Sequence, residues 1–199
     1  MNLLERIFSY ERYEMDWLRL LVQGALIVMT GATLALASVL NPNAVVLTAR
    51  LLSWLPVSGM VILSLGILEC LDAIFAKEAR DFIQNLQVGV LDAVIGGLII
   101  LSVTEQPSRL SMMIATYLIV RGIVRITLVH ALKLPHNFVT SLGGLISIIM
   151  GFLIWMEWPI SEGWFISLCL NVEIAVRGWA IMTFALWVRT LEIDEEELA

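Results

Sequence analysis

Long runs of apolar residues, each about the length of a membrane-spanning helix, recur along this chain. Residues 20–40 and 137–156 contain no ionisable side chain, and each run reaches the roughly 20 residues that a helix needs to cross the hydrocarbon layer. Four further runs have spanning length but carry charge, at residues 51–76, 82–103, 110–132 and 163–188. Strict two-residue alternation, which is typical of a membrane β-barrel, is absent. The pattern predicts an all-α integral membrane protein with six transmembrane helices.

Composition supports the same class, and it divides the chain into three parts. Hydrophobic residues make up 59% of the 199 positions and charged residues 15%, whereas a soluble domain has about 25% charged residues. The six helices occupy residues 17–190. Residues 1–16 suit either a short helix in the membrane interface or a solvated, partly ordered tail. Residues 191–199 form an acidic C-terminal tail, which we expect to be solvated or to dock a basic partner.

Glycines repeat along the helices at a fixed spacing, which predicts an internal three-fold repeat. In the first, third and fifth helices they occur seven residues apart, at Gly24 and Gly31, Gly89 and Gly96, and Gly144 and Gly151. In the even helices they occur 56 residues apart, at Gly66, Gly122 and Gly178. The spacing predicts three copies of one helical hairpin, at about 17–77, 82–133 and 137–188, around a pseudo-three-fold axis. Seven residues are two helical turns, so each glycine pair offers one face for close helix packing. We expect self-association, or a membrane-protein partner, through these faces.

Two motifs within these repeats resemble a known family. The segments VGVLDAVIGG (88–97) and IVRGIVRI (119–126), with paired glycines and a proline near the helix end, are similar to the HdeD family of acid-resistance membrane proteins. The resemblance covers about residues 17–190. It implies a multipass protein of the bacterial inner membrane that acts in the response to acid stress.

Charged residues inside the predicted helices are the main candidates for function. A charge in the centre of a bilayer is costly, so such residues normally face the bundle interior and pair with one another. Three are basic and four are acidic: Arg121, Arg125 and Arg177, and Glu69, Asp72, Asp92 and Glu173. Depth and repeat register favour Asp92 or Glu69 as the partner of Arg125, and Glu173 as the partner of Arg177. The cluster either fixes helix packing or provides a path for protons or a solute.

Other kinds of chemistry find no support in the sequence. It contains no nucleophile motif, no phosphate-binding glycine loop and no metal-ligand set, so we expect no enzyme activity, no cofactor and no bound metal. It also lacks a basic stripe for nucleic acid. Three functions are left open: a non-catalytic, HdeD-like role in stress protection, an accessory subunit of a larger membrane complex, and a small proton or weak-acid channel or transporter. The expected partners are the lipid bilayer and either a second copy or another membrane protein.

Basic residues predict the orientation of the chain, because they are enriched in cytoplasmic loops. If both termini are cytoplasmic, the outer side holds only Arg50 and Arg109. The inner side then holds Arg6, Arg12, Arg19, Lys77, Arg80, Lys133 and Arg189. The distribution predicts that both termini lie in the cytoplasm.

Cysteine labelling tests this orientation in a variant whose two native cysteines are replaced by alanine. We expect Asn43→Cys and Glu162→Cys to react with a membrane-impermeant maleimide on intact cells. Lys133→Cys should react only after the membrane is opened. The reverse pattern would place the termini outside.

Overall fold

The computed structural model describes residues 17–42, 54–75, 79–102, 107–132, 137–157 and 163–198. These residues form six α-helices. The helices are α1 (Trp17–Leu40), α2 (Leu55–Phe75), α3 (Ala79–Ser102), α4 (Pro107–Leu132), α5 (Asn137–Trp155) and α6 (Gly163–Leu198). The all-helical class predicted from the sequence is confirmed.

Large apolar side chains cover the outer surface of the bundle. They point outward on every helix, for example Leu26 and Met29 of α1, which are 61% and 64% exposed. The interior is a core of apolar side chains in which charged groups are also buried, for example Asp92 at 0% and Glu173 at 3% exposure. Because water does not favour such a surface, the arrangement is consistent with a membrane protein.

Helix length and hydropathy agree with this class for four of the six helices. Helices α1, α2, α4 and α6 are long and apolar enough to cross a membrane. Helices α3 and α5 hold shorter apolar stretches, Leu86–Leu101 and Thr140–Trp155. The described residues thus form six helices, as predicted, and four of them have the length and hydropathy of a membrane span.

Exposed hydroxyl groups on the helices bond to their own backbone. The hydroxyls of Thr30, Ser64 and Thr116 each donate to the carbonyl oxygen four residues earlier, at 2.8–2.9 Å. A hydroxyl without a partner is costly in an apolar medium. These bonds therefore let polar residues occupy the outward faces without an acceptor from the solvent.

The helices pack most closely as three pairs: α1 with α6, α2 with α3, and α4 with α5. Each pair joins an odd helix to an even helix across their glycines. A Cβ built on the first glycine of each odd helix would lie 2.9 Å from a glycine carbonyl oxygen of its partner, as for Gly24 and Gly178, Gly89 and Gly66, and Gly144 and Gly122. The second odd-helix glycines also abut backbone atoms, with Gly31 against Ala175, Gly96 against Leu63 and Gly151 against Ala115. Helices of the same chain thus cover all of these glycine faces, so the expected self-association or partner contact cannot use them.

Several predicted boundaries differ from the structure. Helix α4 begins at Pro107, three residues before the predicted run at 110–132, and the missing N–H of proline costs nothing at the first helical position. Helix α6 continues to Leu198, so the backbone of the predicted acidic tail is helical. The predicted N-terminal segment, residues 1–16, lies outside the described residues.

Adjacent glycines in α3 offer a sharp test of close packing. A Cβ on Gly96 would lie 2.5 Å from the backbone nitrogen of Leu63, whereas a Cβ on Gly97 would meet no atom within 4 Å. We expect Gly96→Ala to lower the free energy of unfolding by about 1–3 kcal/mol, because α2 must move away. Gly97→Ala should raise it by about 0.5–1 kcal/mol, because alanine favours a helix.

Reversible unfolding of both variants in the same mixed micelles measures the difference. Equal effects of the two substitutions would show that the α2/α3 contact does not depend on glycine.

Candidate functional site

Six charged side chains from four helices meet in the interior of the bundle. We call them the charge cluster, which comprises Glu69 of α2, Asp92 of α3, Arg121 and Arg125 of α4, and Glu173 and Arg177 of α6. Helical spacing aligns the members from a single helix, since residues four apart share one face. The cluster holds three positive and three negative groups, so it is neutral as a set.

Asp92 accepts three hydrogen bonds, and its side chain is almost fully shielded. Its Oδ1 accepts from Arg121 Nη1 and, at 2.8 Å, from the hydroxyl of Tyr117. Its Oδ2 accepts from Arg177 Nη1 at 2.8 Å. Tyr117 also lies under Arg121, with the guanidinium carbon 5.6 Å from the ring centroid, a favourable cation–π distance. Asp92 therefore joins α3 to both α4 and α6.

Glu173 is the second shared acceptor. Its Oε1 accepts from Arg121 Nε at 2.8 Å and from Arg125 Nη2 at 2.6 Å. Its Oε2 accepts from the hydroxyl of Ser147 in α5, whose oxygen also lies 3.0 Å from the carbonyl oxygen of Gly143. Both carboxylate oxygens of Glu173 are thus satisfied, and one acid binds α4 and α5 to α6.

Glu69 lies at the edge of the cluster. Its Oε1 pairs with Arg177, and its side chain is 23% exposed, against 1% for Asp92 and 3% for Glu173. Its Oε2 is shielded and accepts no hydrogen bond from the described residues. Asp72, three residues further on, is exposed and forms no ion pair with a described side chain. The structure thus places Asp72 outside the cluster, unlike the other six predicted charges.

Every ion pair of the cluster joins two different helix pairs. The α2/α3 pair contributes two acids, the α4/α5 pair two arginines, and the α1/α6 pair one of each. The glycines therefore hold helices together within each pair, while the charges hold the three pairs to one another.

A smaller polar group links two of the same pairs elsewhere in the bundle. Asn171 of α6 is fully buried; its Oδ1 accepts from the hydroxyl of Ser58 at 2.8 Å, and its Nδ2 donates to Ser38 at 3.2 Å. Ser58 is in α2 and Ser38 in α1, so this group connects the α2/α3 pair to the α1/α6 pair without charge.

The individual partners differ from those expected from the sequence. Arg125 pairs with Glu173 and not with Asp92 or Glu69, and Arg177 pairs with Glu69 and Asp92 instead of Glu173. The physical reason is that Glu173 and Arg177, four residues apart, share one face of α6 and point side by side toward the neighbouring helices, where each meets groups of opposite charge.

Three neutral side chains were not predicted from the sequence: Tyr117 and Ser147, which bond to the charge cluster, and Asn171 of the separate polar group. A usable signal existed for Tyr117, which precedes Arg121 by four residues and so lies on the same helix face.

The arrangement is suited to holding the charged groups in mutual pairs. Each arginine is paired with carboxylates, and both oxygens of Asp92 and of Glu173 accept hydrogen bonds. Among the described residues, no group of three or more histidine, cysteine, aspartate or glutamate side chains could hold a metal ion. The chemistry that the site favours is structural pairing, with Glu69 as its most accessible carboxylate.

Replacing Asp92 tests whether its ion pairs with Arg121 and Arg177 stabilise the bundle. A second substitution, at one of these two arginines, tests which pairs remain when Asp92 is absent. Asp92→Leu alone should lower the free energy of unfolding by about 3–5 kcal/mol, because it leaves uncompensated positive charge in the interior. Adding Arg121→Met should recover most of that loss, since the pairs Glu69–Arg177 and Glu173–Arg125 are kept. Adding Arg177→Met should recover less, since Glu69 then loses its partner.

The comparison is made by reversible unfolding in mixed micelles. Tyr117→Phe is the common background, so that no phenol hydroxyl is left without a partner. Equal recovery by the two arginine substitutions, or no loss from Asp92→Leu, would contradict the observed pairing.

Comparison of the chain with protein-family models, with curated proteins and with solved structures finds no match.

Proposed function

We propose that this chain is a non-catalytic, multipass protein of the bacterial inner membrane with a role in protection against acid stress, as its resemblance to the HdeD family implies. The observation that supports a non-catalytic role is that the charged groups of the cluster pair with one another. Its six charges neutralise one another, and its two most buried carboxylates are fully engaged. The resemblance alone suggests the stress role, since a fold-level likeness does not fix function.

The proposal includes six membrane crossings as three two-helix repeats around a pseudo-three-fold axis, with both termini in the cytoplasm. The two helices of a predicted repeat do not pack closely on each other; the second helix of each repeat packs on the first helix of the next. Support for the repeat comes from the glycine contacts, which recur at equivalent positions in the three helix pairs. Helices α3 and α5 are 24 and 19 residues long, or about 36 and 28 Å at 1.5 Å per residue. Each packs closely along a helix of spanning length. The proposed partners are the lipid bilayer and a second copy or another membrane protein, bound through the outward apolar surface.

One observation favours a second candidate function, a small path for protons or a weak acid. Glu69 is the most exposed member of the charge cluster and has an oxygen without a described partner. An intramembrane carboxylate at the edge of a charged network is a common feature of proton pathways. In this alternative Glu69 is the entry point, and Arg177 and Asp92 follow it inward.

Glu69→Gln separates the two functions, with Asp72→Asn as a matched control on an exposed carboxylate of the same helix. We expect expression of the chain to raise the survival of acid-shocked bacteria, and both variants to protect as well as the parent. Liposomes that contain the purified protein should show no more proton flux than protein-free liposomes. Glutamine removes the titratable group and its negative charge, which weakens the contact between α2 and α6. It still offers Arg177 an acceptor oxygen, and the bonds from Asp92 to Arg177 and from Ser58 to Asn171 remain, so we expect the fold to be kept.

Proton flux that Glu69→Gln abolishes and Asp72→Asn leaves intact would establish the pathway instead. If the parent gives no protection, the stress role is wrong. Chains that co-purify with the protein in gentle detergent would then support the accessory-subunit role.

A further inference from the structure

One outward face of α3 differs in composition from the rest of the apolar surface. We call it the α3 stripe, and its residues are Gln87, Val90, Val94, Gly97 and Leu101. Gln87 is exposed, and Val90, Val94 and Leu101 are 46%, 53% and 74% exposed. Leu101 follows Asp92 by about two and a half helical turns, so the stripe lies on the side of α3 that faces away from the charge cluster. The stripe is therefore free to meet lipid or a helix of another chain.

Gly97 is the residue of this stripe that the packing of a single chain does not explain. At every other glycine in the interior of a described helix, a Cβ would lie within 3 Å of an atom of another helix, whereas a Cβ on Gly97 would meet no atom within 4 Å. Glycine in the middle of a helix costs about 0.5–1 kcal/mol relative to alanine. On the surface of a membrane helix, glycine allows a second helix to approach closely. Gly97 thus points to a contact with a helix outside this chain.

Helix α5 provides a comparison within the same molecule. Counted from the glycine pairs of the two helices, the equivalent residues of α5 are all large and apolar: Leu142, Leu145, Ile149, Phe152 and Met156. Their side chains are 45–63% exposed, so the equivalent face of α5 also points outward. Bulky apolar side chains are expected where a helix meets acyl chains, yet α3 has an amide in place of Leu142 and a glycine in place of Phe152. The contrast indicates that the α3 stripe meets something other than lipid.

The spacing and chemistry of the stripe make it complementary to itself. Its residues follow one another at intervals of three, four, three and four, which is the heptad pattern of two helices that pack side by side. Two copies inserted in the same orientation place their stripes at the same depth. An amide both donates and accepts hydrogen bonds, so two Gln87 side chains satisfy each other across a two-fold axis. A single polar residue in such a seam also fixes the register of the two helices.

We propose that the α3 stripe is the contact surface between two copies of this chain, with the backbones closest at Gly97 and the two Gln87 amides bonded to each other. The two α3 helices run parallel about a two-fold axis along the membrane normal, so the same surface is used by both copies. The inference rests on the membrane location and the second copy included in the proposed function, and it does not depend on the role in acid stress.

Cysteine cross-linking in membrane vesicles tests the contact, in a variant whose two native cysteines are replaced by alanine. Val94→Cys places a thiol on the stripe, and Ile149→Cys places one at the equivalent position of α5, where the native side chain is similarly exposed. We expect copper phenanthroline to convert the Val94→Cys chain into a covalent dimer and to leave the Ile149→Cys chain monomeric. Equal dimer formation by the two variants would overturn the proposal, because random collision would then explain it. A Val94→Cys product that contains a different protein would overturn it in favour of another membrane partner.

A second substitution in the Val94→Cys chain tests the role of Gly97. Gly97→Leu should lower dimer formation about tenfold, because leucine keeps the two backbones apart. Ala32→Leu, which adds the same side chain at the equivalent exposed position of α1, should leave dimer formation unchanged. Unchanged dimer formation by Gly97→Leu would overturn the proposal.

Two further measurements separate the contact from the fold and from the role in acid stress. Because Gly97 faces open space within the single chain, the Gly97→Leu chain should unfold no more easily than the parent at a high ratio of detergent to protein. If that variant does not fold, the comparison of Val94→Cys with Ile149→Cys still decides. A specific dimer in cells that gain no acid protection would refute the stress role alone, whereas acid protection without a dimer would refute the contact alone.

Discussion

Mutual neutralisation of six charges in a medium without water is the constraint on which this bundle depends. Each helix pair carries a different charge in the interior: two acids on α2/α3, two arginines on α4/α5 and one of each on α1/α6. No two of the pairs suffice alone to satisfy every group, since Glu173 is needed by Arg125 and Glu69 by Arg177. The charges therefore require all three pairs to be present and to face one another.

Glycine and charge have separate roles in this architecture. Backbone contacts across glycines need close approach over several turns, and they make each helix pair a tight unit. Ion pairs act through long side chains, so they can join units whose backbones stand further apart. The seams between units are consequently looser, and a cleft of about 250 Å³ lies in the seam between the α4/α5 pair and the α1/α6 pair.

The sequence predicted the helices more successfully than the contacts between them. Periodicity and hydropathy were sufficient for six helices, because those signals are local. The same signals were not sufficient to predict which charged residues pair, because pairing depends on how each helix is rotated about its axis. Asp72 illustrates the limit: it lies one turn from Glu69 in the same apolar run, yet the side chain of Asp72 is exposed. Ser147 of α5 was missed for the same reason, because a serine in an apolar helix gives no sign that it faces a glutamate.

Neutrality also determines how the cluster responds to a change at its edge. Protonation of Glu69 would leave the set with one excess positive charge and Arg177 with Asp92 as its one remaining acidic partner. Asp92 already accepts from Arg121 and Tyr117, so it cannot compensate fully. The contact between Arg177 and Glu69 of α2 would weaken. The contact between Arg177 and Asp92 of α3, and the uncharged hydrogen bond between Ser58 and Asn171, would persist. A change of charge at Glu69 therefore acts on the seam between α2 and α6 and leaves the glycine contacts within the pairs unaffected.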